Sequence, residues 1–127
     1  MKTKLWTGRI LSGLAIAFLL MDAGMKLAMV PMALEANAEL GYPASVIFPL
    51  GLLELALLAV YVVPQTWVLG AVLWTGYLGG AIATHVRVGN TLLTHTLFPI
   101  WIALFLWGGI WLRDEKLRAV FPLRAND

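Results

Sequence analysis

The stretch Ile10-Leu11-Ser12-Gly13-Leu14-Ala15-Ile16-Ala17-Phe18-Leu19-Leu20-Met21-Asp22-Ala23-Gly24-Met25-Lys26-Leu27-Ala28-Met29-Val30 decides the fold, because it is long and apolar enough to cross a bilayer and yet carries an acid and a base. A transmembrane helix needs about 20 predominantly apolar residues. At ~3.6 residues per turn, the i to i+4 spacing of Asp22 and Lys26 puts both side chains on one helix face. An ionisable group inside a membrane costs ~2.5–3.5 kcal/mol on the insertion scale, so the pair calls for polar partners on the other helices.

The rest of the chain has the same character. It has 127 residues, 61% hydrophobic and 13% charged, with mean hydropathy +0.84, whereas a soluble domain carries roughly 25% charged residues. Residues 46–63 contain Glu54 as their sole charge and end before Pro64, with Pro49 and Gly51 near the start as kink points. Residues 67–85 hold Tyr77, Thr84 and the pair Gly76 and Gly80, a spacing that lets helices approach closely and points to a homo-oligomer. Residues 92–112 carry no charge and include Trp107 and Trp111, suited to an interfacial aromatic belt. The expectation is an all-α integral membrane four-helix bundle, up-down-up-down, forming a single transmembrane domain over 1–127 with spans about 10–30, 46–63, 67–85 and 92–112. The polar residues 31–45, with the turn signal Gly41-Tyr42-Pro43, are expected to form a short interfacial segment between helices 1 and 2.

Charge placement sets the orientation. Seven of the nine Lys and Arg residues (Lys2, Lys4, Arg9, Arg113, Lys116, Arg118 and Arg124) flank the chain ends, so the positive-inside rule puts both termini in the cytoplasm of a multi-pass inner-membrane protein. The basic start followed by an apolar run also fits a signal peptide cut after Ala36-Asn37-Ala38. The run is longer than a signal-peptide core, and the segment is expected to stay as the first span. The net charge of +2 does not indicate nucleic acid, because the basic residues form no stripe along one face. With no cysteine, thiol catalysis and Cys-ligated metal centres are excluded.

Counting ~1.5 Å per residue from the expected outer helix ends places Asp22, Glu54 and Tyr77 in one layer ~12 Å deep, with Lys26 a turn nearer the surface and His85 beyond it. The expected site is an intramembrane polar pocket in which Asp22, Glu54 and Lys26 carry acid/base chemistry while His85, Tyr77, Thr84 and Arg87 bind a ligand. The bland alternative is a buried ion-pair network that only fixes helix register. Asp22, Glu54 and His85 would suit a metal ion, but the Lys26 cation opposes one. His85 and His95 would suit a bis-histidine haem, for which nothing else in the chain speaks.

With those residues laid out, the chain resembles the DoxX-like family of small four-helix membrane proteins. The resemblance runs through Asp22 to Lys26, Gly41-Tyr42-Pro43, Pro49-Leu50-Gly51-Leu52-Leu53-Glu54-Leu55, Gly76-Tyr77-Leu78-Gly79-Gly80-Ala81-Ile82-Ala83-Thr84-His85-Val86-Arg87 and the tail from Trp107 to Asp114. Relatives are linked to thiosulfate:quinone oxidoreductase and to membrane-associated oxidoreductase complexes, and distant animal relatives assist receptor assembly. The resemblance therefore implies the bundle, and a quinone or redox association; in the redox version the electron donor, a soluble redox partner, comes from elsewhere. The leading expectation is a pocket for a quinone-like or other small lipophilic molecule, in the membrane subunit of an oxidoreductase. The alternatives are a non-catalytic assembly or stress-linked scaffold, and a membrane isomerase or hydratase using acid/base chemistry at the same cluster.

Overall fold

The computed structural model describes residues 2–89 and 97–124 and contains six α-helices among them: α1 (Lys2–Leu27), α2 (Pro31–Glu39), α3 (Ile47–Val62), α4 (Trp67–Val88), α5 (Phe98–Arg113) and α6 (Glu115–Val120), with a 3-10 turn at Ala44–Val46. Among the described residues, three segments are long and apolar enough to cross a membrane: Lys2–Leu27, Ala44–Val62 and Trp67–Val88. The apolar helix α5 is shorter at Phe98–Arg113, and the first residues of the expected fourth span, together with His95, lie outside the described residues.

The first helix starts earlier and stops earlier than the apolar run suggests. Nothing between Lys2 and Arg9 breaks a helix, and backbone hydrogen bonding continues through that charged segment. At the other end Met29 adopts φ 54°, a left-handed conformation. Val30 N–H donates to Met25 O at 3.2 Å and Met29 N–H to Lys26 O at 3.1 Å. That pattern is a Schellman stop, with methionine where glycine is usual. Pro31 then opens α2, at a position where its missing N–H costs nothing. Pro49 likewise falls within the first turn of α3. At the far end of α3, Val63 is extended, as a residue before proline prefers.

Helices α1, α3, α4 and α5 touch in a closed ring, α1 against α3 and α5, and α4 against α3 and α5. The interior of the ring is apolar, built on Leu19, Leu57, Leu58, Trp74, Leu78, Leu106 and Ile110. The outer faces are also apolar: Leu14, Leu20, Leu52, Leu69, Val72 and Leu104 are all exposed. Helices that are hydrophobic both inside and out belong in lipid, and this is a membrane protein.

Glycines set the helix spacing, though not the pair singled out by its spacing in the sequence. A Cβ on Gly8 would lie 2.6 Å from Gly109 O, and one on Gly70 would lie 2.5 Å from Tyr61 Cα. A Cβ on Gly51 would meet Leu27 Cγ at 3.0 Å and Lys26 Cβ at 3.1 Å. By contrast, Gly76, Gly79 and Gly80 have nothing among the described residues within 4 Å of such an atom. Gly76 and Gly80 therefore draw none of the described helices close.

These contacts predict opposite outcomes for one substitution at two places on α4. Gly70→Ala drives a methyl into backbone and should cost about 1–3 kcal/mol, since backbone cannot rotate away. Gly79→Ala fills open space in a helix interior and should leave stability equal or raise it by up to ~1 kcal/mol. Thermal unfolding of both variants in the same detergent checks the pair.

Candidate functional site

The close approach at Gly51 sets the geometry, because it brings α1 against α3 beside Ala23, Lys26 and Leu27, one turn from Glu54. The Lys26 ammonium donates to Glu54 Oε1 at 3.1 Å and is also paired with Asp22 Oδ2. From α4, the Tyr77 hydroxyl donates to the same Glu54 oxygen at 2.8 Å. Glu54 is 0% exposed and Lys26 7%, so the ion pair is cut off from water, whereas Asp22 is partly exposed. Charge–charge attraction in so apolar a setting is strong, and so is the cost of leaving any member unpaired.

One member is incompletely paired. Glu54 Oε2 is buried and has no hydrogen-bond partner among the described residues. A buried acceptor in that state costs ~1–3 kcal/mol and calls for a reason. The Trp74 indole N–H is buried in the same condition, with its ring edge-on to Tyr77 at 5.3 Å.

The cluster forms part of the wall of a cavity of 470 Å³. Asp22, Lys26, Glu54, Tyr77, Thr84 and His85 all line it, so six of the seven site residues expected from the sequence share one space. The remaining wall is largely apolar, with Phe18, Leu19, Leu50 and Ile102 among its members. The residues do not reach it from equal distances along their helices. Asp22 lies five positions before the end of α1, and Tyr77 eleven before the end of α4.

Arg87 is the seventh residue and lies outside the cavity wall. Its Nη2 donates to Leu40 O at 2.8 Å and passes over Gly41, where a Cβ would stand only 3.1 Å away. Gly41 has φ 92°, so its lack of a side chain serves both the turn and the arginine. Arg87 thus fastens the connection after α2 onto α4. That connection is itself part of the wall, through Leu40 and Tyr42, as is α2, through Ala36 and Asn37.

Tyr42 and Asn37 are the site residues that the sequence reading missed. The Thr84 hydroxyl donates to Gly80 O at 2.8 Å, which leaves its oxygen to accept from the Tyr42 hydroxyl at 3.0 Å. In the sequence Tyr42 stands inside a turn signal, and its aromatic ring between Gly41 and Pro43 was the available hint.

Chemically, the arrangement offers a fully buried carboxylate held by two donors, an ammonium with a third N–H beyond its two carboxylate bonds, and an apolar chamber beside them. It can hold or move a proton at Glu54 and can accept a hydrogen bond at Glu54 Oε2. The ammonium already occupies the position between the two carboxylates in which a metal cation would sit.

No curated protein and no solved structure matches the chain. A family model does match, over residues 10–109, a range that takes in Asp22, Lys26, Glu54, Tyr77, Thr84 and His85. The chain belongs to the DoxX-like family.

Proposed function

We propose that this protein binds a small lipophilic molecule with a polar, quinone-like head in the cavity beside Glu54. The observation that carries the reading is Glu54 Oε2, a buried carboxylate oxygen without a partner among the described residues, on a side chain that lines a 470 Å³ space. Ligand pockets run from about 300 to 1,000 Å³ and are mostly apolar with a few convergent polar groups. The residues present fit such a head. Glu54 Oε2 accepts from a ligand hydroxyl, and the third N–H of Lys26 donates to a ligand carbonyl. Hydroxyl and carbonyl are the two forms between which a quinone head passes, taking up electrons with protons. On the protein side, Glu54 holds or releases the proton at the ligand oxygen, Lys26 fixes the charge state of both carboxylates, and Tyr77 orients the Glu54 carboxylate. Electrons come from a soluble redox partner, since the chain has no thiol to carry them.

In the bilayer this reading sets α1, α3, α4 and α5 as four spans in up-down-up-down order in the inner membrane, with both termini cytoplasmic. Contact registers support it: Ser12 meets Tyr61 and Lys26 meets Glu54 between α1 and α3, while Tyr61 meets Gly70 and Glu54 meets Tyr77 between α3 and α4. The alternative of a scaffold, in which the cluster only ties helices together, has the Lys26 bridge in its favour.

Glu54→Gln separates the two. Under the binding reading the variant folds, its midpoint stays near that of the parent, and its affinity for a short-chain benzoquinol falls about tenfold or more, as expected for a lost hydrogen bond to a charged group. Unchanged benzoquinol binding with a large loss of stability overturns the site and favours the scaffold. Lys26→Met removes the sole cation between two carboxylates and should cost about 3–5 kcal/mol in thermal or chemical unfolding. For orientation, an Arg124→Cys variant should react with a membrane-impermeant maleimide only after the cytoplasmic face is opened. Labelling from the periplasmic side overturns that part.

A further inference from the structure

A second cavity, of 260 Å³, is lined by Arg9, Ser12, Gly13 and Ile16 of α1, Tyr61 and Val62 of α3, and Arg113 of α5. Arg9 and Arg113 give its wall two positive charges, and no acid lines it among the described residues. The carboxylate of neighbouring Asp114 is engaged elsewhere, accepting from Trp67 Nε1–H at 2.9 Å and Leu117 N–H at 3.1 Å.

The hydrogen bonds around this cavity all run one way. Tyr61 donates to Leu106 O at 2.5 Å, so its oxygen accepts from the Ser12 hydroxyl at 2.8 Å. Ser12 Oγ in turn accepts from Arg113 Nη2 at 2.8 Å. Arg113 Nε donates to Gly109 O at 3.0 Å, and its guanidinium lies 4.7 Å over the Trp67 ring. The side chain is thereby locked in place while three of its five N–H donors take no part in these bonds. Among the described residues, Arg9 meets the Trp6 ring alone, 4.9 Å away. The polar wall therefore presents fixed positive charge and spare donors, and its acceptors are already engaged.

Depth and shape identify the anion. Arg9 is the last residue before the apolar run of α1, and Arg113 ends α5. The 18 residues from Ile10 to Leu27 span ~27 Å, close to the ~30 Å hydrocarbon core. The pair thus stands at the level of lipid phosphates. Beneath it the wall turns apolar, at Ile16 and the exposed Val62. A guanidinium fork matches phosphate oxygens, and an apolar floor next to it suits an acyl chain.

We infer that this cavity binds the phosphate group of an anionic phospholipid, with Arg9 and Arg113 as its cations and the groove at Ile16 and Val62 receiving the start of an acyl chain. The phosphate chemistry is shared with free phosphate, and the apolar floor favours the lipid.

The test uses the full chain in nanodiscs of phosphatidylcholine with and without phosphatidylglycerol, with native mass spectrometry of the retained lipid. Arg9→Gln is the informative variant, because Arg9 holds up no other part of the protein, and Lys4→Gln removes the same charge outside the cavity. The parent should retain phosphatidylglycerol over phosphatidylcholine, Arg9→Gln should weaken that preference about fivefold, and Lys4→Gln should leave it unchanged. Equal retention by parent and Arg9→Gln, or an equal loss in both variants, overturns the site. In phosphatidylcholine alone, millimolar inorganic phosphate should not raise the unfolding midpoint. A rise abolished by Arg9→Gln would overturn the lipid assignment and make the occupant a soluble phosphate.

Discussion

The Lys26 ammonium, held between two carboxylates in an apolar surround, is the interaction on which the rest of the structure depends. Three charged side chains among apolar helices would be prohibitive as separate burials, each at several kcal/mol. Joined, they leave a net charge of one and a network in which each member depends on the others. That dependence constrains the helices. Lys26 reaches Glu54 only if α1 and α3 touch, and they touch because Gly51 offers no side chain where Ala23 and Lys26 pass. Tyr77 reaches the same oxygen only if α4 lies against α3, and Gly70 allows that approach at Tyr61. One apolar membrane protein is thus given a defined register by a few polar atoms and a few missing methyl groups. Apolar packing against lipid-like surroundings would not select that register by itself.

Much of this was legible in the sequence. Length, hydropathy and the spacing of Asp22 and Lys26 were enough for an apolar helical membrane protein with a buried polar layer, since an acid such as Glu54 in eighteen apolar residues cannot face lipid without cost. Less legible was which glycines mattered. Gly76 and Gly80 have the spacing of a packing motif but open onto a cavity, while Gly8, Gly51, Gly70 and Gly109, with no mutual pattern in the chain, sit at the crossings. A crossing point depends on the relative placement of two helices, and no one-dimensional spacing contains that. Arg87 lies outside the cavity wall for a related reason. Position along α4 puts it near the site, but only the path of the connection after α2 shows that its guanidinium is committed to Leu40 O.

Tyr42 illustrates the opposite case, in which the signal was present and read too narrowly. Gly41, at φ 92°, and Pro43 fix the chain direction around it. A tyrosine between a glycine in the left-handed region and a proline is turned to one side of the chain, and here its hydroxyl meets Thr84. The connection between α1 and α3 is therefore part of the cavity wall as well as a linker. Loops positioned by a rigid scaffold often supply such groups.

α3 shows how the two ends of the molecule are kept distinct. Its buried positions Ile47, Gly51, Glu54, Leu58 and Tyr61 recur at intervals of three and four, which places the acid and the tyrosine on one inward face. Seven residues separate Glu54 from Tyr61, a rise of ~10 Å, and Leu57 and Leu58 fill the interval. Toward one end Glu54 on this face meets the Lys26 ammonium, which also pairs with Asp22, and toward the other Tyr61 meets Ser12, which is bonded to Arg113. Once Glu54 is assigned inward by the cost of facing lipid, helical periodicity carries Tyr61 inward as well. A buried tyrosine hydroxyl needs partners, and Ser12 and Leu106 O supply them. A single acid on α3 therefore fixes the inward face from which both polar centres are built, with Leu57 and Leu58 filling the space between them.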